Sequence, residues 1–495
     1  MTTDYILAID QGTTTTRALA FSLSGEILGL AQKEIKQYYP QNGWVEHDGE
    51  EIWNKTLECL SEVIQEQKQK NRQAIAVGIT NQRETSLLWD RKTGKPVSRA
   101  IVWQDRRTAE FCQSLKNSGF ESMIGEKTGL VLDPYFSASK INWLLNEGGY
   151  RSKAESGDIL AGTIESYLIY RLTGCKSHVT DITNASRTML CNIMTGLWDD
   201  DLLTLFDIPK KILPKITDNA GHFGVISGDL VGAGIPITGI IGDQQSAAVG
   251  QGCIHPGMVK STYGTGCFVI QNTGLTRHYS GNKLLSTVAY SLNGSIRYAL
   301  EGSIFNAGTV TQFLRDQMGF IQQAKETEAI CQSIGDTGGV YMVPAFTGLG
   351  APHWDPNARG IITGLTRATT QAQIVRAGIE SVAYQSDDLI KAFASDIGTS
   401  PNIIRVDGGM SANNWLMQFL ADILDVTIER PVNTETTAYG AAIVAGIGIG
   451  AWSSLEDACQ SWRLDRLFTP DLSQDKRDDL LFNWSNTVEL CRISK

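Results

Sequence analysis

The sequence predicts an α/β protein with two large domains, and three observations support this fold class. At 495 residues, the chain exceeds the size at which one hydrophobic core stops growing. Apolar segments typical of buried strands, such as 74–80 and 235–242, alternate with segments of helical periodicity. Polar side chains directly follow several of these strands, which is where open α/β sheets bind ligands. A ligand-binding cleft between the domains is therefore expected.

Two glycine- and threonine-rich turns indicate that the two domains are related. The segment AIDQGTTTTRAL at 8–19 has the pattern of strand, polar turn and strand, and VKSTYGTGCFVI at 259–270 repeats this order. We place the boundary near residue 250, with an N-terminal domain of residues 1–250 and a C-terminal domain of residues 251–495.

The N-terminal half is expected to begin with two strands joined by a hairpin, at 5–10 and 16–23. After Asp48, an expected N-cap, apolar residues recur at helical spacing. Further strands are expected at 74–80, 100–103, 235–242 and 402–409, and helices over 303–320, over 371–393 and from about Ser411. The Gly- and Ala-rich stretch 438–452 is expected to be a buried helix that packs closely on a neighbour.

Composition and charge exclude several classes of function. The formal net charge of −10 argues against general nucleic-acid binding, which depends on clustered Lys and Arg. No run of apolar residues is long enough to suggest insertion into a membrane, and the first residues lack the layout of a signal peptide. The nine cysteines are scattered without a Cys-x-x-Cys motif. We expect reduced thiols in a cytoplasmic protein.

The first hairpin has the composition of a phosphate-binding turn. The chain has neither a P-loop motif nor a Gly-x-Gly-x-x-Gly motif. The hairpin instead places Asp10 at a strand end, then Gly12, the hydroxyls of Thr13 to Thr16, and Arg17. Backbone amides, hydroxyls and an arginine can hold phosphate oxygens, and a carboxylate can hold Mg²⁺ through water. At this point the alternative, a turn whose Asp and Thr only satisfy backbone groups, stays open.

Three further glycine turns strengthen the prediction of a phosphate site. STYGTGC at 261–267 offers Thr265, the expected helix start at 301–313 offers Gly308 and Gln312, and DGGMSANN at 407–414 offers Gly409 and Asn413. One such turn is common in α/β proteins, whereas several at strand ends favour a nucleotide site.

Long strings in a fixed order then reveal a family. The motifs are AIDQGTTTTRAL, TNQRETSLLWD, VWQDRR, YFSASKINWLLNE, IGDQQSAAVGQG, STYGTGCFV, YALEGSIFNAG, VPAFTGLGAPHWDPNARGIITGLTR and DGGMSANN. Together they resemble the FGGY family of carbohydrate kinases, and within it the members that phosphorylate glycerol. The resemblance implies two duplicated ribonuclease H-like domains of the actin and Hsp70 ATPase type, which enclose an interdomain cleft.

The resemblance also implies the reaction and the residues that carry it. Asp243 would be the general base for in-line phosphoryl transfer from Mg-ATP to glycerol, which yields sn-glycerol 3-phosphate in glycerol catabolism. Substrate contacts are expected from Arg83, Glu84, Trp103, Tyr135, Asp243, Gln244 and Phe268. Nucleotide contacts are expected from Thr13, Thr14, Thr15, Arg17, Thr265, Gly308, Gln312, Gly409 and Asn413. Metal contacts are expected from Asp10 and Asp243, and the N-terminal domain would hold the substrate pocket and first phosphate loop.

Several alternatives remain open from the sequence. Asp243 could act only as a helix cap. The substrate could be another polyol or sugar, such as erythritol, xylulose or gluconate. A different class would be an ATP-driven conformational protein of the actin or Hsp70 type, and a third possibility is a silent regulatory homologue, although Asp10 and Asp243 are both retained. The family further implies a homodimer or homotetramer.

Overall fold

The computed structural model describes residues 3–355 and 357–493, and two mixed β-sheets form its framework. Within these residues the first sheet has six strands, in spatial order Ala220–Val225, Pro236–Gly242, Arg72–Asn81, Thr3–Gln11, Thr15–Ser22 and Ile27–Glu34. The last three form an antiparallel meander. Arg72–Asn81 lies parallel to Thr3–Gln11, and Pro236–Gly242 lies parallel to Arg72–Asn81. The predicted opening hairpin is therefore present.

The second sheet repeats the spatial order and the directions of these strands. Its strands, in spatial order, are Leu285–Leu292, Ser295–Ile304, Cys267–Gly274, Val259–Tyr263, Ile403–Asp407, Thr427–Pro431 and Leu464–Phe468. A meander is again followed by two parallel strands and an antiparallel edge strand. Each strand of the first sheet thus has a counterpart of the same position and direction, and Leu285–Leu292 is added at one edge. The predicted two-domain fold with duplicated ribonuclease H-like halves is confirmed.

Helices cover the sheets and connect their strands. Helix Gly49–Gln69 begins after Asp48, whose side chain accepts hydrogen bonds from the amides of Glu50 and Glu51, as expected for an N-cap. The other N-terminal helices are Ala109–Asn117, Glu121–Thr128, Ser137–Asn146, Arg151–Ser156, Ile164–Leu172, Ile182–Ala185, Asp200–Leu205 and Asp243–Gly250. The C-terminal helices are Gly308–Gln312, Glu326–Ser333, Gln371–Ile397, Asn414–Leu424, Thr436–Gly448, Leu455–Cys459 and Gln474–Ile493.

Short elements complete the architecture. Glu46–His47, Ala100–Ile101, Ser86–Asp90 and Ile159–Thr163 form a small sheet. Paired short strands are Val179–Asp181 with Lys215–Thr217, Cys191–Asn192 with Leu197–Trp198, and Tyr341–Val343 with Ile361–Thr363. Single turns of 3₁₀-helix occur at Lys210–Ile212 and Gly409–Ala412, and a π-helical turn at Phe313–Gln317. In the part of the chain described, no helix combines the length and apolar character needed to cross a membrane.

Three element predictions need correction. The helix expected over 303–320 begins only at Gly308, because the preceding residues belong to strand Ser295–Ile304, which pairs with Cys267–Gly274. The strand expected at 100–103 is limited to Ala100–Ile101. The helix expected from Ser411 begins at Asn414, because Asn413 is its N-cap and accepts a hydrogen bond from the amide of Leu416.

The Gly- and Ala-rich stretch forms helix Thr436–Gly448, which is buried over most of its length. It belongs to the C-terminal half but packs on the first sheet and on helix Asp243–Gly250. The contact is close, because a Cβ added at Gly440 would lie 1.9 Å from the carbonyl oxygen of Ser246. The glycine at position 440 therefore allows these two helices to pack closely. This helix contact joins the C-terminal half of the chain to the N-terminal half.

Replacing Gly440 with alanine is expected to destabilise this join. The added methyl group would overlap the backbone of Ser246, so the free energy of unfolding should fall by about 1–3 kcal/mol. Urea unfolding followed by tryptophan fluorescence measures the change. Gly228→Ala is the control, because a Cβ there meets nothing within 4 Å. Equal unfolding midpoints for the two variants would contradict the close packing.

Candidate active site

Two neighbouring strand ends of the first sheet carry the central charges of the site. Strand Arg72–Asn81 leads into Arg83 and Glu84, and strand Pro236–Gly242 leads into Asp243. Asn81 and Gly242 are partners in the parallel register. The side chains that follow therefore meet, and Arg83 Nε lies 2.9 Å from Asp243 Oδ1.

A glutamate of the second sheet completes a buried ion cluster. Glu301, on strand Ser295–Ile304, accepts hydrogen bonds from Arg83 Nη1 at 2.5 Å and from Arg187 Nη2 at 2.9 Å. Arg187 Nε donates in turn to Glu84 Oε1 at 2.6 Å. These four side chains are each at most 2% exposed, so the pairing compensates the loss of water around each charge. Burial alone would raise the pKa of Glu301, but Arg187 and Arg83 outweigh it and lower the pKa to about 2.

Glu84 has a constrained backbone as well as a buried charge. Its φ angle of 62° lies in the left-handed region, which non-glycine residues adopt only where their surroundings enforce it. Its carbonyl oxygen accepts hydrogen bonds at 3.0 Å from the hydroxyls of Ser86 and Ser137. Such backbone strain is concentrated at functional sites, which supports a functional role for this position.

Asp243 is largely buried, but part of its side chain is exposed to solvent. It is the first residue of helix Asp243–Gly250, whose N-cap is Gly242, so the alternative that Asp243 is merely the cap does not hold. About 26% of its side chain is exposed, so an incoming hydroxyl can reach the carboxylate. Burial raises the pKa of Asp243 to about 6, against the opposing effect of Arg83. A carboxylate with this pKa can accept a proton near neutral pH.

Three aromatic rings meet beside the ion cluster. The ring centroid of Trp103 lies 5.6 Å from that of Tyr135 and 6.4 Å from that of Phe268, both in edge-to-face geometry. Phe268 belongs to the second sheet, so the rings join both halves. Trp103 Nε1 donates to Thr13 Oγ1 at 2.9 Å, and burial raises the pKa of the Tyr135 phenol. The rings form an apolar wall for a small polar ligand.

Gln244 is oriented by a lysine of the second sheet. Lys260 Nζ donates to Gln244 Oε1 at 2.6 Å. Because the amide oxygen faces the lysine, the amide nitrogen of Gln244 is left as a donor for a ligand. Lys260 is buried, and burial lowers the pKa of its ammonium group.

The first hairpin places Asp10 and Arg17 opposite each other in adjacent strands. Arg17 donates to Asp10 Oδ2 and contacts Glu435 at 2.5 Å, so its guanidinium lies between two carboxylates. Thr14 is exposed, and Thr13 and Thr15 are partly exposed. Phosphate binding by Arg17 and the three threonines stays a prediction.

The residues present fit a magnesium ion that is shared with a nucleotide. Among residues 3–355 and 357–493, no three His, Cys, Asp or Glu side chains form a metal-ligand group. Mg²⁺ at phosphate sites is usually held by one or two carboxylates, with phosphate oxygens and waters as the other ligands. Asp10 lies next to the last residue of strand Thr3–Gln11, and Asp243 directly follows strand Pro236–Gly242. One strand separates these two strands in the first sheet, so their hard oxygen donors lie at one edge.

The predicted nucleotide residues of the second half fall into two groups. The turn at Thr265 contacts the helix that begins at Gly308, since the amide of Gly308 donates to the carbonyl of Gly264 at 2.9 Å. Thr265 and Gln312 are exposed. Asn413 Nδ2 donates to Thr327 Oγ1 at 3.2 Å, and a Cβ at Gly409 would meet nothing within 4 Å. The first group leaves Thr265 and Gln312 exposed, whereas both side-chain polar atoms of Asn413 have partners. The nucleotide contacts of both groups stay predictions.

Sequence reasoning missed three charged members of this site. Glu301, Arg187 and Lys260 are all buried and contact the predicted residues directly. The available signal was a single charged residue inside an otherwise apolar or small-residue segment, as in YALEGSI, NASRTML and MVKSTY. Charged residues are rarely buried unless they are paired. A charged residue in such a segment therefore predicts an ion-pair partner elsewhere in the fold.

Comparison with protein families matches both halves of the chain. The description "FGGY family of carbohydrate kinases, N-terminal domain" covers residues 5–250, and the corresponding C-terminal domain covers residues 259–449. A glycerol kinase of Alcanivorax borkumensis is 54% identical over 493 residues, with 99% of each chain covered. Glycerol kinase 1 of Pseudomonas aeruginosa is 53% identical over 489 residues, again with 99% of each chain covered.

Solved structures show the same architecture. The crystal structure of Plasmodium falciparum glycerol kinase with ADP superposes with a TM-score of 0.94 at 38% identity, covering 100% of this chain and 99% of that one. Xylulose kinase from Lactobacillus acidophilus superposes with a TM-score of 0.87 at 23% identity, covering 98% of both chains. The xylulose kinase match supports the fold alone.

Replacing Glu301 with glutamine is expected to destabilise the protein strongly. Arg83 and Arg187 would stay buried without their shared anion, which should lower the free energy of unfolding by about 3–5 kcal/mol. Chemical denaturation measures this. The control is Glu58→Gln, which breaks an exposed ion pair with Lys55 and should cost less than about 1 kcal/mol. A Glu301 variant as stable as the control would show that the buried pairs contribute little.

Proposed function

The chain belongs to the FGGY family of carbohydrate kinases, and from that premise we propose that it transfers the γ-phosphoryl group of ATP to a terminal hydroxyl of glycerol. The product would be sn-glycerol 3-phosphate. The observation that carries the proposal is the position of Asp243, a partly exposed carboxylate in contact with Arg83, beside hydroxyl-binding groups and an aromatic wall. The relatives named glycerol kinase, which match nearly the full chain, support glycerol as the substrate.

The side chains around Asp243 suit a small triol. Arg83 and the Gln244 amide offer donors, the Glu84 carboxylate is an acceptor, and the Tyr135 hydroxyl can act as either. Trp103 and Phe268 offer flat apolar surfaces for the carbon chain. The charged partners of Arg83 and of Glu84 are side chains of the protein itself. Arg83 and Glu84 are therefore held in place before the substrate arrives.

Asp243 acts as the general base in this proposal. The Asp243 carboxylate accepts the proton of the terminal hydroxyl as the oxygen forms its bond to the γ-phosphorus and the bond to the β-phosphate oxygen breaks. Arg83, at 2.9 Å, orients the carboxylate and opposes its protonation.

The remaining predicted residues would hold Mg-ATP. Thr13, Thr14, Thr15, Arg17 and Thr265 are assigned to the phosphates, and Gly308, Gln312, Gly409 and Asn413 to the rest of the nucleotide. Asp10 and Asp243 would hold Mg²⁺, which when bound neutralises charge on the β- and γ-phosphate oxygens. The crystal structure of Plasmodium falciparum glycerol kinase with ADP supports the use of this nucleotide class.

Several features of the proposed protein stay predictions. These are the division after residue 250, a homodimer or homotetramer, and a cytoplasmic location. The thiols of all nine cysteines are free, as expected in a reducing compartment. Phosphorylation of a different polyol or sugar, or ATP hydrolysis that drives a conformational change, remains an alternative that the substrate experiment separates.

Replacing Asp243 with asparagine is expected to reduce glycerol phosphorylation by about 10²–10⁴-fold, because the amide cannot accept the proton. A coupled ADP-release assay with Mg-ATP would test glycerol, dihydroxyacetone, erythritol, xylulose and gluconate against both proteins. Faster turnover of another member of the panel would identify that compound, and not glycerol, as the substrate. ATP hydrolysis that is independent of every member would favour the actin or Hsp70 alternative. Retention of wild-type activity in the variant would overturn the role of Asp243.

The rate should also depend on pH through Asp243. The carboxylate must be deprotonated to act as base, so kcat/KM for glycerol should be constant above the pKa of Asp243, which burial raises to about 6 in the free protein and which a bound Mg²⁺ would lower. Below that pH it should fall about tenfold per pH unit. Burial is the largest cause of the raised pKa of Asp243, the Glu84 carboxylate raises this pKa further, and Arg83 and Lys260 oppose the rise. Initial rates from pH 5 to 8 at saturating Mg-ATP measure the profile, and the residual activity of Asp243→Asn should lack this limb.

A further inference from the structure

A short helix beneath the site contacts the residue that precedes Asp243. Thr183, in helix Ile182–Ala185, accepts a hydrogen bond at its Oγ1 from the amide of Gly242 at 2.8 Å. The same hydroxyl donates to Asp181 Oδ2. Both Thr183 and Asp181 are fully buried. The hydroxyl thus links the backbone next to the base to a buried carboxylate.

Asp181 is itself held by several donors. Its Oδ1 accepts a hydrogen bond from Asn184 Nδ2 at 2.7 Å, and its Oδ2 accepts one from Asn219 Nδ2 at 2.8 Å. Asn219 Nδ2 also donates to the carbonyl of Ile240 at 2.9 Å. Ile240 lies two residues before Gly242 on the same strand. Asp181 is therefore linked to this strand twice, once through Asn219 to Ile240 and once through Thr183 to Gly242.

Gly242 is a position where such support is needed. A Cβ there would lie 2.8 Å from Arg83 Cδ, so only glycine allows Arg83 to pass and reach Asp243. Glycine, however, leaves the backbone dihedral angles free. The hydrogen bond from the Gly242 amide to Thr183 Oγ1 restrains the backbone directly before Asp243.

The same short helix also supports the neighbouring strand end. Asn184 Nδ2 donates to Asn81 Oδ1 at 3.0 Å, and Asn81 Nδ2 donates to Asn184 Oδ1 at 3.1 Å and to Glu165 Oε2 at 2.8 Å. Asn81 lies two residues before Arg83. One buried network therefore holds both the strand end that carries Arg83 and the strand end that carries Asp243.

We propose that Thr183, backed by Asp181, is a positioning residue that fixes the Asp243 carboxylate for proton transfer. This inference rests on the proposed function, in which Asp243 is the base. Thr183 acts without touching the substrate, since its hydroxyl is bonded to the Gly242 amide and to the Asp181 carboxylate. Its loss should reduce the rate of the chemical step and leave nucleotide binding intact.

The test compares two substitutions of Thr183 with a matched control. Thr183→Val keeps the shape but removes the hydroxyl, and Thr183→Ser keeps the hydroxyl. Thr128→Val is the control, because Thr128 is also fully buried and its hydroxyl also accepts from an amide, that of Leu130 at 3.1 Å, while donating to the carbonyl of Ile124 at 2.7 Å. Steady-state kcat and both KM values are measured, with urea unfolding midpoints in parallel.

Thr183→Val is expected to lower kcat by about 10–100-fold, the loss typical of a misplaced catalytic group. The KM for Mg-ATP should stay unchanged. Thr183→Ser should restore most of the rate, and Thr128→Val should match wild type in kcat even if its stability falls. Should Thr183→Val not fold, Thr183→Ala supplies the same comparison.

Three outcomes would overturn the proposal. The first is a wild-type kcat in the folded valine or alanine variant, and the second is an equal loss of kcat in the serine and valine variants. A wild-type protein that phosphorylates no member of the substrate panel would instead defeat the proposed function, which separates the two failures. A loss of rate in Thr128→Val equal to that in Thr183→Val would show a general effect of buried hydroxyls and would also overturn the positioning role.

Discussion

The carboxylate of Glu301 is the contact on which the rest of the site depends. It comes from the second sheet, yet it binds Arg83 and Arg187 of the first half. Arg83 in turn contacts Asp243, and Arg187 contacts Glu84. Burying these charges is favourable only when their geometry is well matched. The two halves must therefore be held in a fixed relation around this cluster.

Close backbone packing provides that relation. Helix Thr436–Gly448 belongs to the second half in sequence but lies on the first sheet, where Cβ atoms at Gly78 and Gly239 would lie 2.0 and 2.4 Å from its backbone. Its contact with helix Asp243–Gly250 at Gly440 is equally close. Because that second helix begins with Asp243, the packing that joins the halves also fixes where Asp243 lies at the edge of the first sheet.

Polar groups of the site divide into those held by the protein and those left free. The amides and carboxylates around Asp181 bond to one another beneath the strand ends, so each buried group has a partner. Thr14, Thr265 and Gln312 are exposed instead. This division suits a kinase, which needs a rigid base and acceptor pocket but must admit and release a nucleotide. The same division explains why strain at Glu84 is tolerated, since its carbonyl and carboxylate are both engaged.

The sequence by itself determined the family, the two-domain α/β class and the strand ends that carry Arg83, Glu84 and Asp243. These are local features, since a strand, its turn and the polar residues after it lie within a few positions of one another. Helix starts near Gly308 and Asn414 were placed less well, because pairing with a distant strand or a cap decides where such a segment begins.

Only the tertiary structure decided which charges face one another. Arg83 and Glu301 are separated by 218 positions, and Arg187 and Glu301 by 114, so no spacing or periodicity in the sequence relates them. A single glutamate in a strand is usually exposed, and only the docking of the second sheet on the first buries this one. The same holds for Thr183 and Gly242, whose hydroxyl and amide are 59 positions apart in the sequence. These two groups become partners only when the short helix that carries Thr183 packs against the strand that ends at Gly242.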